Sequence, residues 1–139
     1  MNEKDEYVLL WIKKGDHDLG TANLTFKHIP EYRDIIAFHC QQAVEKYLKA
    51  WLVFLDCEVP HTHDLPYLLD VISRFIDLKP ELFTKALTLS GFSVEVRYPD
   101  SEADLSDLNI KEAMSTVQLF RTTVLHHLGL TGKMEDIPH

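Results

Sequence analysis

The sequence has little cysteine, glycine or proline, and it lacks an excess of basic residues. Its two cysteines, Cys40 and Cys57, are too few for a disulfide framework and fit no zinc spacing, so we expect free thiols in a reducing compartment. Five glycines and six prolines argue against a loop-rich sandwich or a fibrous chain. Acidic residues outnumber basic ones 22 to 14, giving a formal net charge of −8, which argues against nucleic-acid binding through overall charge. Any contact with a nucleotide must come from a local cluster.

Long apolar runs are also missing. The run from Val8 to Ile12 has five residues, and the longest, Ala50 to Leu55, is too short to cross a bilayer. We therefore expect neither a signal peptide nor a membrane span, and we expect a cytoplasmic protein. A length of 139 residues is that of one domain. We predict a single domain over residues 1–139, with a core at about 5–128 and a frayed tail at 129–139.

Apolar residues recur with helical periodicity along almost the whole chain. In the first predicted helix the inward positions are Tyr7, Leu10, Trp11, Leu19, Ala22 and Phe26. The second has the most regular apolar stripe, formed by Ile36, Cys40, Ala43, Val44, Tyr47, Leu48, Trp51 and Leu55. The pattern predicts helices at about 4–27, 31–56, 64–76, 80–89 and 108–128.

Residues 92–100 interrupt this helical pattern. Gly91 is expected to end the short fourth helix, and the alternation that follows it predicts an extended loop. Short connections between long amphipathic helices favour antiparallel packing. The predicted fold is therefore all-α: an antiparallel up-and-down four-helix bundle with an additional short helix.

The second predicted helix carries a polar face that is a candidate binding surface. At about 100° per residue, its five polar side chains share roughly a third of the circumference. They are His39, Gln42, Glu45, Lys46 and Lys49. A solvated helix face would explain the same spacing, so both interpretations stay open.

A second candidate lies in the segment Arg97-Tyr98-Pro99-Asp100. A guanidinium offers a planar fork for a phosphate or carboxylate, and the tyrosine ring offers a stacking surface for a base or sugar. The alternative is a structural loop in which Arg97 pairs with Asp100 or Glu95.

Two further patterns could hold a metal ion, and we favour a structural role for each. His61-Thr62-His63-Asp64 has a His-x-His spacing, but no third ligand is identifiable, and Asp64 suits a helix N-cap. The acidic residues between Asp100 and Asp107 are better explained as a solvated linker before the last helix. We expect no metal and no cofactor.

Several segments fall in the order and spacing of one known family. They are Phe38-His-Cys-Gln-Gln-Ala-Val-Glu-Lys-Tyr-Leu-Lys-Ala50, Thr62-His63-Asp64-Leu65 and Val96-Arg97-Tyr98-Pro99-Asp100. Together with Lys14-x-x-x-Asp18-Leu19-x-x-Ala22, they resemble the HEPN domain family (higher eukaryotes and prokaryotes nucleotide-binding), over about residues 5–128.

The resemblance implies a helical bundle that commonly forms a homodimer, binds a nucleotide, and pairs with a minimal nucleotidyltransferase, often in a toxin–antitoxin system. The positions that match the family's motifs are Gln42, Glu45, Lys46, Lys49, His63, Arg97, Tyr98 and Asp100. These include most of the polar face identified above from helical spacing. We therefore predict a nucleotide-binding module of this type, in which a cleft between this polar face and the Arg97 segment accepts a nucleotide or the nucleotidyltransferase partner.

Many HEPN members are metal-independent ribonucleases that use an Arg followed after four to six residues by a His. Arg121 with His126 or His127 fits that spacing, but Thr122 stands where an amide or acid is usual. In an unbroken helix both histidines also point more than about 100° away from Arg121. Two alternatives therefore remain, an RNA endonuclease toxin and a purely structural interaction partner. RNA would be a partner in the first of these alone.

Overall fold

The computed structural model describes residues 2–95 and 105–139, with side chains for all of these except 93–95. Within those ranges the chain forms five α-helices and no strand, which confirms the all-α prediction. They are α1 (Glu3–His28), α2 (Arg33–Phe54), α3 (Leu65–Ser73), α4 (Pro80–Glu95) and α5 (Asp107–His127). The described helices include none that is both long enough and apolar enough to span a membrane.

Helix α2 is the centre of the bundle and packs against all four other helices. Its predicted stripe is confirmed, since every member from Ile36 to Trp51 is buried and Leu55 is partly buried. A four-residue connection joins α1 to α2, so these two helices are antiparallel neighbours. Most side chains on α2 are therefore buried against the surrounding helices.

The predicted inward face of α1 is wrong in its first turns, because Tyr7 and Leu10 are exposed. The positions that pack on α2 are spaced by four and three residues and are Val8, Ile12, Gly15, Leu19 and Ala22. Periodicity in the sequence does not show this spacing, because Gly15 has no side chain and gives no apolar signal. A Cβ there would lie 2.6 Å from Cε1 of Tyr47, so the glycine lets the Tyr47 ring lie against α1.

The lengths of the two shorter helices differ from the prediction. Helix α3 has nine residues, whereas α4 has sixteen and runs through Gly91 to Glu95, so the extended interpretation is wrong for residues 92–95. A helical glycine costs about 1 kcal/mol relative to alanine. The core contacts of Leu82, Ala86 and Leu89 offset that cost.

The helix ends follow local capping rules. Asp64 accepts a hydrogen bond from the Tyr67 amide at 3.1 Å, as expected for the N-cap of α3. Ser106 and Asn109 form a reciprocal capping box at the start of α5. The end of the chain is not frayed, because Ile137 is buried and Asn23 donates a 2.9 Å hydrogen bond to the Pro138 carbonyl.

Candidate functional site

The polar face of α2 is packed against α1 around Asp18. The Nδ1 atom of His39 lies 2.8 Å from Oδ1 of Asp18, and the Lys46 ammonium donates to the other carboxylate oxygen. Asp18 is buried, and both partners are only about a quarter exposed. Desolvated carboxylates are stable when they are paired and hydrogen-bonded, which Asp18 is on both oxygens.

A second polar cluster forms around Glu45, which is 3% exposed. The Lys49 ammonium donates to its Oε2 atom at 3.0 Å, and Nδ1 of His63 lies 2.8 Å from its Oε1 atom. The Gln41 amide donates to the His63 carbonyl at 3.1 Å, which holds the residue 61–64 loop against α2. The His63 side chain is itself 81% exposed, so this cluster connects a buried carboxylate with the surface.

The structure thus brings most of the predicted polar face together, but largely inside the molecule. His39, Glu45, Lys46 and Lys49 all have charged or ring partners, whereas Gln42 is half-buried beside them. Burial of Glu45 and Lys49 excludes a purely solvated face. The lysines do not extend freely toward solvent.

A third cluster, around Asp16, was missed by the sequence analysis. Arg121 donates to both oxygens of Asp16 at 2.9 and 3.2 Å, and the Tyr47 hydroxyl donates to the same carboxylate at 2.6 Å. Burial and the Asp16 carboxylate raise the pKa of Tyr47. Burial lowers the pKa of Arg121, but the hydrogen bonds and charge of Asp16 outweigh it, so the net pKa is raised and the guanidinium stays charged.

The two histidines at the end of α5 have different surroundings from Arg121. His127 stacks on Trp51 with ring centroids 4.9 Å apart, and His126 meets His127 edge to face. Both line a cleft of about 560 Å³ with Lys79 and residues of α4 and α5. The guanidinium of Arg121 instead engages α1 and α2.

A larger cleft of about 660 Å³ lies between the start of α1 and the segment that follows α2. We call it the α1 cleft. Its lining residues are Glu3, Lys4, Tyr7, Trp11, Lys49, Val53, Asp56, Cys57, Glu58, Val59, Pro60 and His61. Lys49 therefore belongs both to the Glu45 cluster and to this cleft. Sequence spacing could not find the cleft, because its residues come from three separate segments.

The HEPN family model matches residues 8–127 of this chain. The chain belongs to the HEPN domain family. It is similar in structure to ST0689, an archaeal HEPN homologue, with a TM-score of 0.69 and 21% identity over 87% of this chain and 97% of that one. It is also similar to TT1696 from Thermus thermophilus, with a TM-score of 0.72 and 23% identity over 91% and 98%. No protein with a curated description matches it.

The second candidate of this HEPN domain is the segment Arg97-Tyr98-Pro99-Asp100, which we predicted to lie beside the α2 polar face. Arg97, Tyr98 and Asp100 lie outside the described residues. The cleft that we predicted between these residues and the α2 face therefore stays a prediction.

Of the two patterns that could hold a metal ion, the described part of this HEPN domain includes His61–Asp64 but not the acidic residues at positions 100–104. Among the described residues, no group of three or more His, Cys, Asp or Glu side chains is arranged to hold a metal ion. His63 instead contacts Glu45, and Asp64 caps α3. The Asp64 cap is what the structural interpretation of this loop predicts.

Proposed function

We propose that this HEPN domain is a nucleotide-binding module. The observation that carries the proposal is Lys49, a lysine that is only 7% exposed, is fixed by Glu45 and lines the α1 cleft. A polar group held rigidly at an open cleft is pre-organised for a ligand, because its rotamer entropy is already lost on folding. In this proposal Arg97 supplies the contact to phosphate, and Tyr98 and Asp100 complete the site with the His39, Gln42 and Lys46 edge of α2.

Calorimetry with ATP, ADP and AMP tests the proposal on the wild type, Arg97→Ala and Arg74→Ala. Arg74 is a matched control, because it is exposed and, among the described residues, pairs with Asp70 one turn away at 3.1 Å. We expect binding by the wild type and Arg74→Ala, and a loss of about tenfold or more in Arg97→Ala. No binding by the wild type would refute the function, and equal binding by all three would remove Arg97 from the site.

The ribonuclease alternative has less support, because it needs Arg121 near a histidine. Arg121 is committed to a bidentate contact with Asp16, and Tyr47 shares that carboxylate. We therefore expect no metal-free RNA cleavage by the wild type. Cleavage that is lost in His126→Ala or His127→Ala would establish the alternative.

We propose that two copies associate through an exposed apolar strip on α2. Ile35 and Phe38 are about one turn apart on α2, Tyr32 is the N-cap residue three positions before Ile35, and all three side chains are exposed. Light scattering should give about twice the 16.1 kDa chain mass for the wild type and for Leu87→Glu, but the chain mass for Phe38→Glu. Leu87 is a control because it is exposed on α4. A wild-type monomer would refute the proposal.

A second partner follows from the family resemblance, a minimal nucleotidyltransferase in a toxin–antitoxin system. Support comes from membership of the HEPN family, over residues 8–127. Co-expression of the chain with the product of a neighbouring nucleotidyltransferase gene should yield a complex that survives gel filtration. Separate elution of the two proteins would refute the pairing.

A further inference from the structure

We infer that the α1 cleft binds the base of the nucleotide, and that the phosphates lie outside it. This inference rests on the proposed function and names the part of the ligand that this cleft recognises. Three features of the cleft support it: the side chains that form its walls, its hydrogen-bonding groups and its charges.

The walls of the cleft suit a flat ring. Tyr7 and Trp11 are one helical turn apart, with ring centroids 6.0 Å apart and planes inclined at 55°. Tyr7 is 48% exposed although it is a large aromatic residue, and Val53, Val59 and Pro60 line the rest of the wall. An exposed aromatic pair beside apolar side chains offers stacking area to any base, because every base has a π-face.

One residue that lines the cleft has a hydrogen-bond donor without an acceptor in the described part of the chain. The Trp11 indole nitrogen is buried and has no hydrogen-bond partner within the described residues. Lys49 lies with its ammonium 5.6 Å from the centroid of the Trp11 ring, and in the described part of the chain it makes one hydrogen bond, to Glu45. A buried N–H without an acceptor costs free energy. A ring nitrogen or carbonyl of a base would supply that acceptor.

The charges of the cleft argue against phosphate. Lys4 pairs with Asp56 at 3.0 Å and Lys49 pairs with Glu45, so each of the two lysines is already neutralised. Glu3 and Glu58 add further negative charge at the exposed edge. Carboxylates repel phosphate but accept hydrogen bonds from an exocyclic amine, so the cleft should favour adenine, guanine and cytosine over uracil.

The backbone at Asp56 supports the same conclusion. Asp56 has φ of +60° and is the residue after the C-cap of α2, where the Cys57 amide donates to the Leu52 carbonyl in a Schellman arrangement. Glycine would adopt this conformation with less strain. The aspartate places a carboxylate at the cleft instead, where it holds Lys4.

Calorimetry with nucleosides and their 5′-monophosphates tests this inference. In Arg97→Ala, which lacks the proposed phosphate contact, we expect adenosine and AMP to bind within about threefold of each other, with little salt dependence, and uridine to bind more weakly. Tyr7→Ala should weaken adenosine binding about tenfold, and Trp11→Phe should weaken it by a smaller factor because the ring is kept and only the N–H is lost. Tyr67→Ala should have no effect, since Tyr67 is similarly exposed, at 43%, but lies on α3 outside the cleft.

Fluorescence gives an independent readout, because the chain has two tryptophans and the other one, Trp51, is buried against His127. In a Trp51→Phe background, adenosine should quench the remaining emission. Nucleotide binding that is unchanged in Tyr7→Ala and Trp11→Phe, or AMP binding by Arg97→Ala that is tenfold or more tighter than its adenosine binding, would overturn the inference and leave the proposed function standing. No binding of any nucleoside or nucleotide would overturn both.

Discussion

Asp16 and Asp18 are two residues apart on α1, yet their carboxylates connect different sets of helices. Asp16 joins three helices, because its partners Arg121 and Tyr47 lie on α5 and α2. Within the described residues Asp18 joins two, because its partners His39 and Lys46 both lie on α2. A carboxylate that connects three elements fixes the bundle, whereas one that orders a single helix face can serve a neighbouring binding site. We call these the Asp16 cluster and the Asp18 cluster.

The largest expected effect comes from removing the charge of the Asp16 cluster. Asp16→Asn leaves the partly buried Arg121 guanidinium without its bidentate partner, which should cost about 3 kcal/mol of unfolding free energy. Urea denaturation measures this loss. Asp70→Asn is the control, because its pair with Arg74 is exposed and should contribute less than about 0.5 kcal/mol. A loss no larger than that of the control would show that the cluster does not fix the bundle.

The next effect tests the packing that positions Tyr47 in the Asp16 cluster. In Gly15→Ala the new Cβ would lie 2.6 Å from the Tyr47 ring, so the ring must move away from Asp16. This overpacking lowers the free energy of unfolding, and the better helix propensity of alanine offsets part of that loss. The net loss should be about 2 kcal/mol.

Gly91→Ala is the matched control for this substitution. It places a Cβ where no atom of the described part of the chain lies within 4 Å, and Gly91 is inside α4, so the free energy of unfolding of this variant should rise by up to about 1 kcal/mol. Equal melting temperatures for the two alanine variants would contradict the close approach of α1 to Tyr47.

The third effect occurs at alkaline pH and separates the two clusters, because among the described residues only the Asp16 cluster contains a phenol, that of Tyr47. The folded pKa of Tyr47 is raised above its ordinary value of 10.0, so its contribution to stability is fully present below pH 10 and is lost as pH rises above it. Between pH 9 and pH 11 this loss should be about 1.4 kcal/mol.

Urea midpoints of the wild type and Tyr47→Phe over that pH range measure the difference. Burial also raises the pKa of Cys40 to about 12, and this second alkaline loss is common to both proteins and cancels in the comparison. Parallel curves for the two proteins would mean that Tyr47 titrates normally.

The sequence predicted the apolar side of α2 well and its polar side only in part. The stripe from Ile36 to Trp51 is long and regular, so periodicity identified it without any knowledge of the other helices. The same periodicity showed that Glu45, Lys46 and Lys49 share a face. It could not show that this face is packed, because helical spacing gives the direction of a side chain on its own helix and not the partner it meets.

The partners were missed for a physical reason. Asp16 and Asp18 fall where the apolar pattern of α1 breaks, next to a glycine that carries no hydrophobic signal. Arg121 is 105 residues from Asp16, so no local spacing relates them. The α1 cleft is equally non-local, since it forms only when α1 folds back on the end of α2. Non-local polar pairs of this kind need the tertiary structure.

The smallest effect on stability, and the one that decides the comparison, is expected from Asp18→Asn. The amide oxygen can still accept a hydrogen bond, and His39 and Lys46 are both near enough to the surface to reach water, so the loss should be about 1 kcal/mol. Because Lys46 then lacks its carboxylate, the free energy of nucleotide binding should change by more than the free energy of unfolding. Asp16→Asn should show the opposite, a larger change in unfolding than in binding. Parallel calorimetry and urea denaturation of the two variants measure both quantities. If Asp18→Asn costs as much stability as Asp16→Asn and leaves binding unchanged, the two carboxylates are equivalent structural links and the Asp18 cluster has no part in the site.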